Sequence, residues 1–183
     1  MSEDTYSFKI ILIGAPGVGK TSLIKKYVED AFSESYKETI GVNILIKDLK
    51  VENKNVEFLC WDVAGQEKFG RVRQMYYRGS SAALVVYDVT KPSSYLEIPD
   101  FVQDLREIED IPLILVGNKV DLRKEMDGLS RSLIKDDLAP VPTEKGEEMS
   151  KIIKSLAFFE TSAKTGELVE KAFYKIAEEL VKP

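Results

Sequence analysis

Short apolar runs alternate along this chain with longer stretches in which apolar residues recur every third or fourth position. The runs at 8–13, 82–87 and 113–117 are apolar almost throughout, with Lys9 the one charge among them. Such runs read as strands buried on both faces, the mark of a parallel sheet. Residues 42–49 and 56–61 are more mixed and read as further strands, with a polar turn at 51–55 between them. A connection this short can join only antiparallel neighbours. Residues 156–159 read as a short final strand.

The helical pattern is equally regular. From Lys20 onward, Leu23, Ile24, Tyr27 and Val28 fall on one face. Residues 94–109 read as a helix with Pro99 in its first turns, and Thr143 can cap another that runs to about 155. Gly166 opens a terminal helix whose buried stripe is Leu168, Val169, Ala172, Phe173, Ile176, Ala177 and Leu180. Two segments depart from the alternation. Residues 63–81 are long, glycine-containing and weakly periodic, a candidate functional loop. Residues 123–142 are polar and acidic, with Leu129, Leu133, Ile134 and Leu138 at partly helical spacing, and read as a surface insertion holding a short helix. The expectation is an α/β fold in three layers. Its sheet is six-stranded and mostly parallel, with one antiparallel strand and helices on both faces.

With 183 residues, the chain suits one domain with a single core. A net charge of −5 argues against a general nucleic-acid binder, because phosphate backbones select basic faces. No nucleic-acid partner is expected. The chain has no histidine, which excludes Ser–His and Cys–His catalysis and histidine-based zinc binding. Its one cysteine, Cys60, can form no internal disulfide, so a reducing compartment is expected. The first residues are polar and acidic, unlike a signal peptide, and no apolar run approaches the roughly 18 residues of a membrane span. The C-terminal residues carry no cysteine for prenylation. A cytoplasmic monomer is expected, peripheral to membranes only through a lipidated tail beyond Pro183.

Candidate chemistry concentrates first at 14–21, Gly-Ala-Pro-Gly-Val-Gly-Lys-Thr, which fits the phosphate-loop pattern G-x-x-x-x-G-K-[S/T]. The context fits too: a buried strand precedes it and a helix follows. Successive N–H groups line a concave loop, and the helix N-terminus adds partial positive charge. Lys20 can reach the outer phosphates, and the Thr21 hydroxyl can ligate Mg²⁺. Pro16 has no N–H to give, so phosphate contacts fall to Gly17, Val18, Gly19, Lys20 and Thr21. Further motifs follow in order: Thr39-Ile40-Gly41, Asp62-Val63-Ala64-Gly65-Gln66, Asn118-Lys119-Val120-Asp121 and Thr161-Ser162-Ala163-Lys164. The last three stand at the C-terminal ends of strands, where doubly wound sheets bind ligands.

With the phosphate loop, these motifs resemble those of the Ras superfamily of small GTPases, and the resemblance covers nearly the whole chain. It implies a P-loop G domain over 1–183, with 123–142 as an insert, that binds GTP or GDP with Mg²⁺ and hydrolyses GTP slowly. Thr21, Thr39 and Asp62 would hold the metal. Gly65 would offer its N–H to the γ-phosphate, and Gln66 would orient the attacking water, making Lys20, Thr39 and Gln66 the catalytic set. Asp121 would accept hydrogen bonds from guanine N1–H and its exocyclic amine, a pair that adenine lacks. The Lys119 stem would lie along the base, Asn118 would tie the loops together, and Ala163 would donate its N–H to guanine O6, flanked by Ser162 and Lys164. Phe32 would shield the base edge, and Ala15, Pro16, Ser22, Tyr36 and Leu122 would complete the nucleotide contacts.

The subfamily signals are mixed. Ile40-Gly41-Val42, Trp61, Gln66-Glu67-Lys68-Phe69, Tyr76-Tyr77-Arg78-Gly79 and Tyr87-Asp88-Val89-Thr90 resemble Rab proteins. Asp121 and Ser162, however, stand 41 positions apart, and the extra length lies where Rho proteins carry an insert. Pro140-Val141-Pro142-Thr143-Glu144-Lys145-Gly146 also resembles the Rho sequence there. Membrane traffic and cytoskeletal signalling are thus both implied. Effector, exchange factor and GTPase-activating partner would use 33–41 and 64–78. Arg71, Arg73 and Arg78 read as solvated or partner-facing, so an arginine finger would come in trans. Pro16 leaves open an interaction module that binds GTP and scarcely hydrolyses it. An adenine-specific P-loop enzyme would have to explain Asp121.

Overall fold

The structure, a computed structural model, describes residues 5–33, 39–64, 70–127 and 139–182. Its centre is a six-stranded sheet. The strands are β1 (Thr5–Ile13), β2 (Val42–Val51), β3 (Lys54–Val63), β4 (Ala82–Asp88), β5 (Leu113–Asn118) and β6 (Phe158–Thr161), in the order β2-β3-β1-β4-β5-β6. Every pairing is parallel except β2 with β3. Those two run antiparallel from Val42↔Val63 to Val51↔Lys54, and Glu52 and Asn53 turn the chain with φ of 49° and 64°. Two successive left-handed residues give the tight turn that suits the strand twist. The apolar runs fill the middle of the sheet: every residue of β4 and β5 is buried. Edge strand β2 instead holds mostly exposed and half-buried positions, with only Val51 at its end buried.

Right-handed crossovers then decide where the helices lie. From β1 the chain crosses one way through α1 (Lys20–Glu29). From β4 it crosses the other way through α3 (Pro92–Leu96) and α4 (Ile98–Arg106). Helices therefore cover both faces. α1 packs against the terminal α7 (Val169–Leu180), where the Tyr27 and Phe173 rings stack with centroids 4.0 Å apart. α2 (Gly70–Tyr77) packs on α4, and α6 (Thr143–Ile152) on β5 and β6. No helix among the described residues is long and apolar enough to cross a membrane.

Several elements differ from their expected form. The loop expected at 63–81 contains α2, a helix that buries Tyr77 while Met75 is 70% exposed. The helix expected at 94–109 is two helices that meet at Glu97, each with a proline in its first turn. Pro99 is tolerated there because its missing N–H would have no helical partner. Thr143 does not cap α6: Pro142 holds the cap position, and the Thr143 hydroxyl donates to Glu160 at 2.9 Å. The last strand sits two residues later than expected, because its register is set by pairing from Leu115↔Phe158 to Asn118↔Thr161. Leu168 leaves the stripe of α7. It is the cap residue, left-handed at φ 55° and 37% exposed. Of the insertion expected at 123–142, the first part belongs to α5 (Val120–Asp127). Residues 128–138, with Leu129, Leu133, Ile134 and Leu138, lie outside the described residues.

Candidate functional site

The C-terminal ends of β1, β3, β4, β5 and β6 share one rim of the sheet, and the crossovers from β1 and from β4 leave in opposite directions, so strand order reverses between these two parallel neighbours. This is where open α/β sheets bind ligands. The loop from β1 to α1 occupies the reversal. Gly19 holds φ 101°, and a Cβ on it would come within 2.3 Å of Asn118 Nδ2, so only glycine lets the loop lie against β5. Ala15 and Val18 are buried, whereas Pro16 and Gly17 are exposed at the crest of the loop. Lys20 is 6% exposed, and its ammonium donates to the carbonyls of Gly14 at 2.7 Å and Ala15 at 2.9 Å. The charge is thereby held beside the loop. α1 has no acidic residue in its first turn, so no carboxylate of its own offsets its positive end.

Beside the loop, three oxygen-bearing side chains from distant parts of the sequence meet. Thr21, at the start of α1, donates its hydroxyl to Asp62 Oδ2 at 2.5 Å. Thr39, from the segment that enters β2, lies 2.9 Å from the Thr21 hydroxyl and donates to the same carboxylate oxygen at 3.2 Å. Asp62 is 1% exposed, and its other oxygen, Oδ1, is buried without a hydrogen-bond partner among the described residues. A buried carboxylate oxygen left so is costly, and a cation would relieve it. Two hydroxyls and one carboxylate fit Mg²⁺, a hard cation that takes one or two carboxylates and completes its shell with phosphate oxygens and water.

The loops after β5 and β6 form a second cluster. Asn118, 1% exposed, donates from Nδ2 to the Val18 carbonyl at 2.9 Å. Its Oδ1 accepts from the Thr161 hydroxyl and the Ala163 N–H, each at 3.2 Å. One side chain so joins three loops. The Ala163 N–H, expected as a donor to guanine O6, is engaged here by Asn118. Lys119 adopts φ 71°, and its ammonium binds the Gly17 carbonyl at 2.7 Å and Asp88 Oδ2 at 2.7 Å. The Ser162 hydroxyl donates to Asp121 Oδ1 at 2.6 Å. Leu122 is half-buried in the first turn of α5, and Lys164 is exposed after Ala163.

Thr21, Thr39 and Asp62 therefore stand together, as do Asn118, Asp121, Ser162 and Ala163, and Lys119 links the second group to the phosphate loop. Ser22 is half-buried in the first turn of α1. Phe32 is 40% exposed between α1 and Thr39. Tyr36, Gly65 and Gln66 lie outside the described residues. Asp88 was not singled out as a site residue, although its second oxygen, Oδ1, accepts from the N–H and hydroxyl of Thr90 at 2.9 and 2.7 Å. The available signal was a carboxylate ending a fully buried strand. With the geometry in place, the comparison with known proteins is direct: the family model described as Ras family matches residues 9–182.

Proposed function

This chain belongs to the Ras family, and from that premise we propose that it is a switch that binds GTP, hydrolyses it slowly to GDP and phosphate, and signals through the change. The convergence of Thr21, Thr39 and Asp62 carries the reading. Thr39 is the point at which the segment leading into β2 touches the phosphate side of the site. A ligand whose outermost phosphoryl group engages this cluster would hold that segment, and its loss would release it. Magnesium bound by Thr21, Thr39 and Asp62 would neutralise phosphate charge and orient the outer phosphates. Lys20 and the loop N–H groups add positive charge where negative charge builds up in phosphoryl transfer, a reaction that needs positioning more than covalent help.

Asp121 selects guanine by accepting from N1–H and the exocyclic amine, and its bond to Ser162 supports that use. Gln66 orients the attacking water, and a partner supplies an arginine in trans. Segments 33–41 and 64–78 meet effectors, exchange factors and activating partners in the cytoplasm. The Rab-like and Rho-like signs in the sequence point to membrane traffic or cytoskeletal signalling. Single-turnover phosphate release from GTP-loaded protein tests the proposal. Slow release, further slowed by Gln66→Leu with nucleotide binding intact, is expected. No release at all would favour the rival reading, a GTP-binding interaction module, which the exposed Pro16 on the loop crest recommends. Absence of GTP and GDP binding to folded protein in magnesium would overturn both.

A further inference from the structure

Behind the base-side cluster stands an ion pair that the proposed chemistry does not use. Arg123 follows Asp121 by two positions on α5, and Glu160 precedes Ser162 by two positions on β6. Arg123 Nη1 donates to Glu160 Oε1 at 2.6 Å, and Nη2 donates to Oε2. Both prongs of the guanidinium thus engage both carboxylate oxygens, and each side chain is 16% exposed. Pairs of this form are directional as well as strong. Nη1 also donates to the Val141 carbonyl at 3.1 Å, and the Thr143 hydroxyl donates to Glu160 Oε2 at 2.9 Å. Val141 is fixed in turn, buried and donating its N–H to the Val89 carbonyl at 2.7 Å. The chain on both sides of 128–138 therefore meets at one carboxylate.

The sheet does not require this clasp, since backbone pairing already joins β5 to β6 from Leu115↔Phe158 to Asn118↔Thr161. What the clasp fixes is the first turn of α5 relative to the end of β6. Those two places carry Asp121 on one side and Ser162 and Ala163 on the other. A single 2.6 Å bond joins Asp121 to Ser162, and a single bond leaves a carboxylate free to pivot. The Arg123–Glu160 pair supplies a second fixed point. A further pair, Lys124 with Glu167 at 2.7 Å, is 61% and 43% exposed, so solvent screening leaves it little hold.

We propose that Arg123 and Glu160 are positioning residues for purine recognition: they hold the Asp121 carboxylate in register with the loop after β6, and so set how long a guanine nucleotide stays bound. This inference rests on the guanine-nucleotide reading above. The test compares release of ribose-labelled fluorescent GDP and of its inosine counterpart, which lacks the exocyclic amine, from wild-type protein, Glu160→Gln and Arg123→Lys. Glu160→Gln keeps the side-chain shape but loses the charge-assisted fork, and Arg123→Lys keeps the charge and loses the fork. Loss of such a bond is expected to speed GDP release about tenfold in Glu160→Gln and about threefold in Arg123→Lys. Inosine diphosphate release should quicken by a clearly smaller factor, because one contact that depends on Asp121 is already missing and the two losses overlap. Equal acceleration of both nucleotides would reveal a merely structural pair and overturn the proposal. Unchanged release of both would do the same. A folded wild-type protein that fails to retain labelled GDP would overturn the underlying nucleotide reading, a failure visible before any variant is made.

Discussion

The Ser162 hydroxyl fixes one oxygen of Asp121 at 2.6 Å, and the purine choice in our reading falls to that carboxylate. Asp121→Asn swaps an acceptor for an NH₂ donor that faces the donor edge of guanine. We expect GDP affinity to fall roughly a hundredfold, since charged hydrogen bonds contribute about 1.5–3 kcal/mol each and a mismatched donor adds to the loss. Xanthosine diphosphate should gain, because its extra carbonyl can accept from the new amide. A competition titration decides it, and an unchanged preference for guanine would remove Asp121 from base recognition. At this scale the sequence was legible where spacing is short and local, as for the consecutive Gly19, Lys20 and Thr21 at the start of α1. It did not mark Asp88 as a site residue; its partner Lys119 stands just past the end of the neighbouring strand β5, brought there by the pairing of Asp88 with Asn118. No local pattern announces a contact made by strand pairing.

Among the elements, α2 was not read from the sequence; its Tyr76 ring meets Trp61 of β3, with centroids 6.3 Å apart. The Lys9 ammonium lies 4.1 Å from the centre of the same indole and donates to the Arg78 carbonyl at 2.8 Å. Trp61 is the only tryptophan in the chain, and α2 lies within the segment that our reading makes nucleotide-responsive. Exchange of GDP for a non-hydrolysable GTP analogue should therefore change the intrinsic fluorescence, and Trp61→Phe should abolish the signal. Emission indifferent to the nucleotide would mean that α2 does not move against β3. A second element-level expectation concerns α6, which approaches β6 closely because Gly146 lacks a side chain. A Cβ there would meet the Phe158 ring at 2.1 Å, and that ring stacks on Tyr87 with centroids 6.5 Å apart. Gly146→Ala gains up to about 1 kcal/mol of helix propensity but overpacks the core by about 1–3 kcal/mol. The net effect should be a lower denaturation midpoint; a raised one would show that Phe158 yields easily.

For the molecule as a whole, the buried apolar runs made the sheet readable, because a strand covered on both faces must be apolar at every position. Strand order was not readable in the same way, since it depends on crossovers between distant segments. The same dense core governs the response to pH. Burial pushes the Cys60 thiol from 9.0 up to about 12 and also raises the Tyr27 and Tyr87 hydroxyls. Each group holds its proton more firmly when folded than when unfolded. Their contribution is therefore complete below the unfolded values and is lost as pH rises, beginning near 9 for Cys60. With no histidine in the chain, stability should vary little between about pH 6 and 8 and decline above about 9, measured by denaturant unfolding across pH. A steep change near pH 6.5 would contradict this.

All strands but β2 run the same way, so the loops of the candidate site share one rim and the opposite rim is left to plain connections. Asp110 sits there, exposed just ahead of β5, while the natural thiol of Cys60 is sealed in the interior. Asp110→Cys would consequently give the chain a single addressable handle. Anchored to a sensor chip through it, every copy would stand with its working mouth toward the flowing buffer.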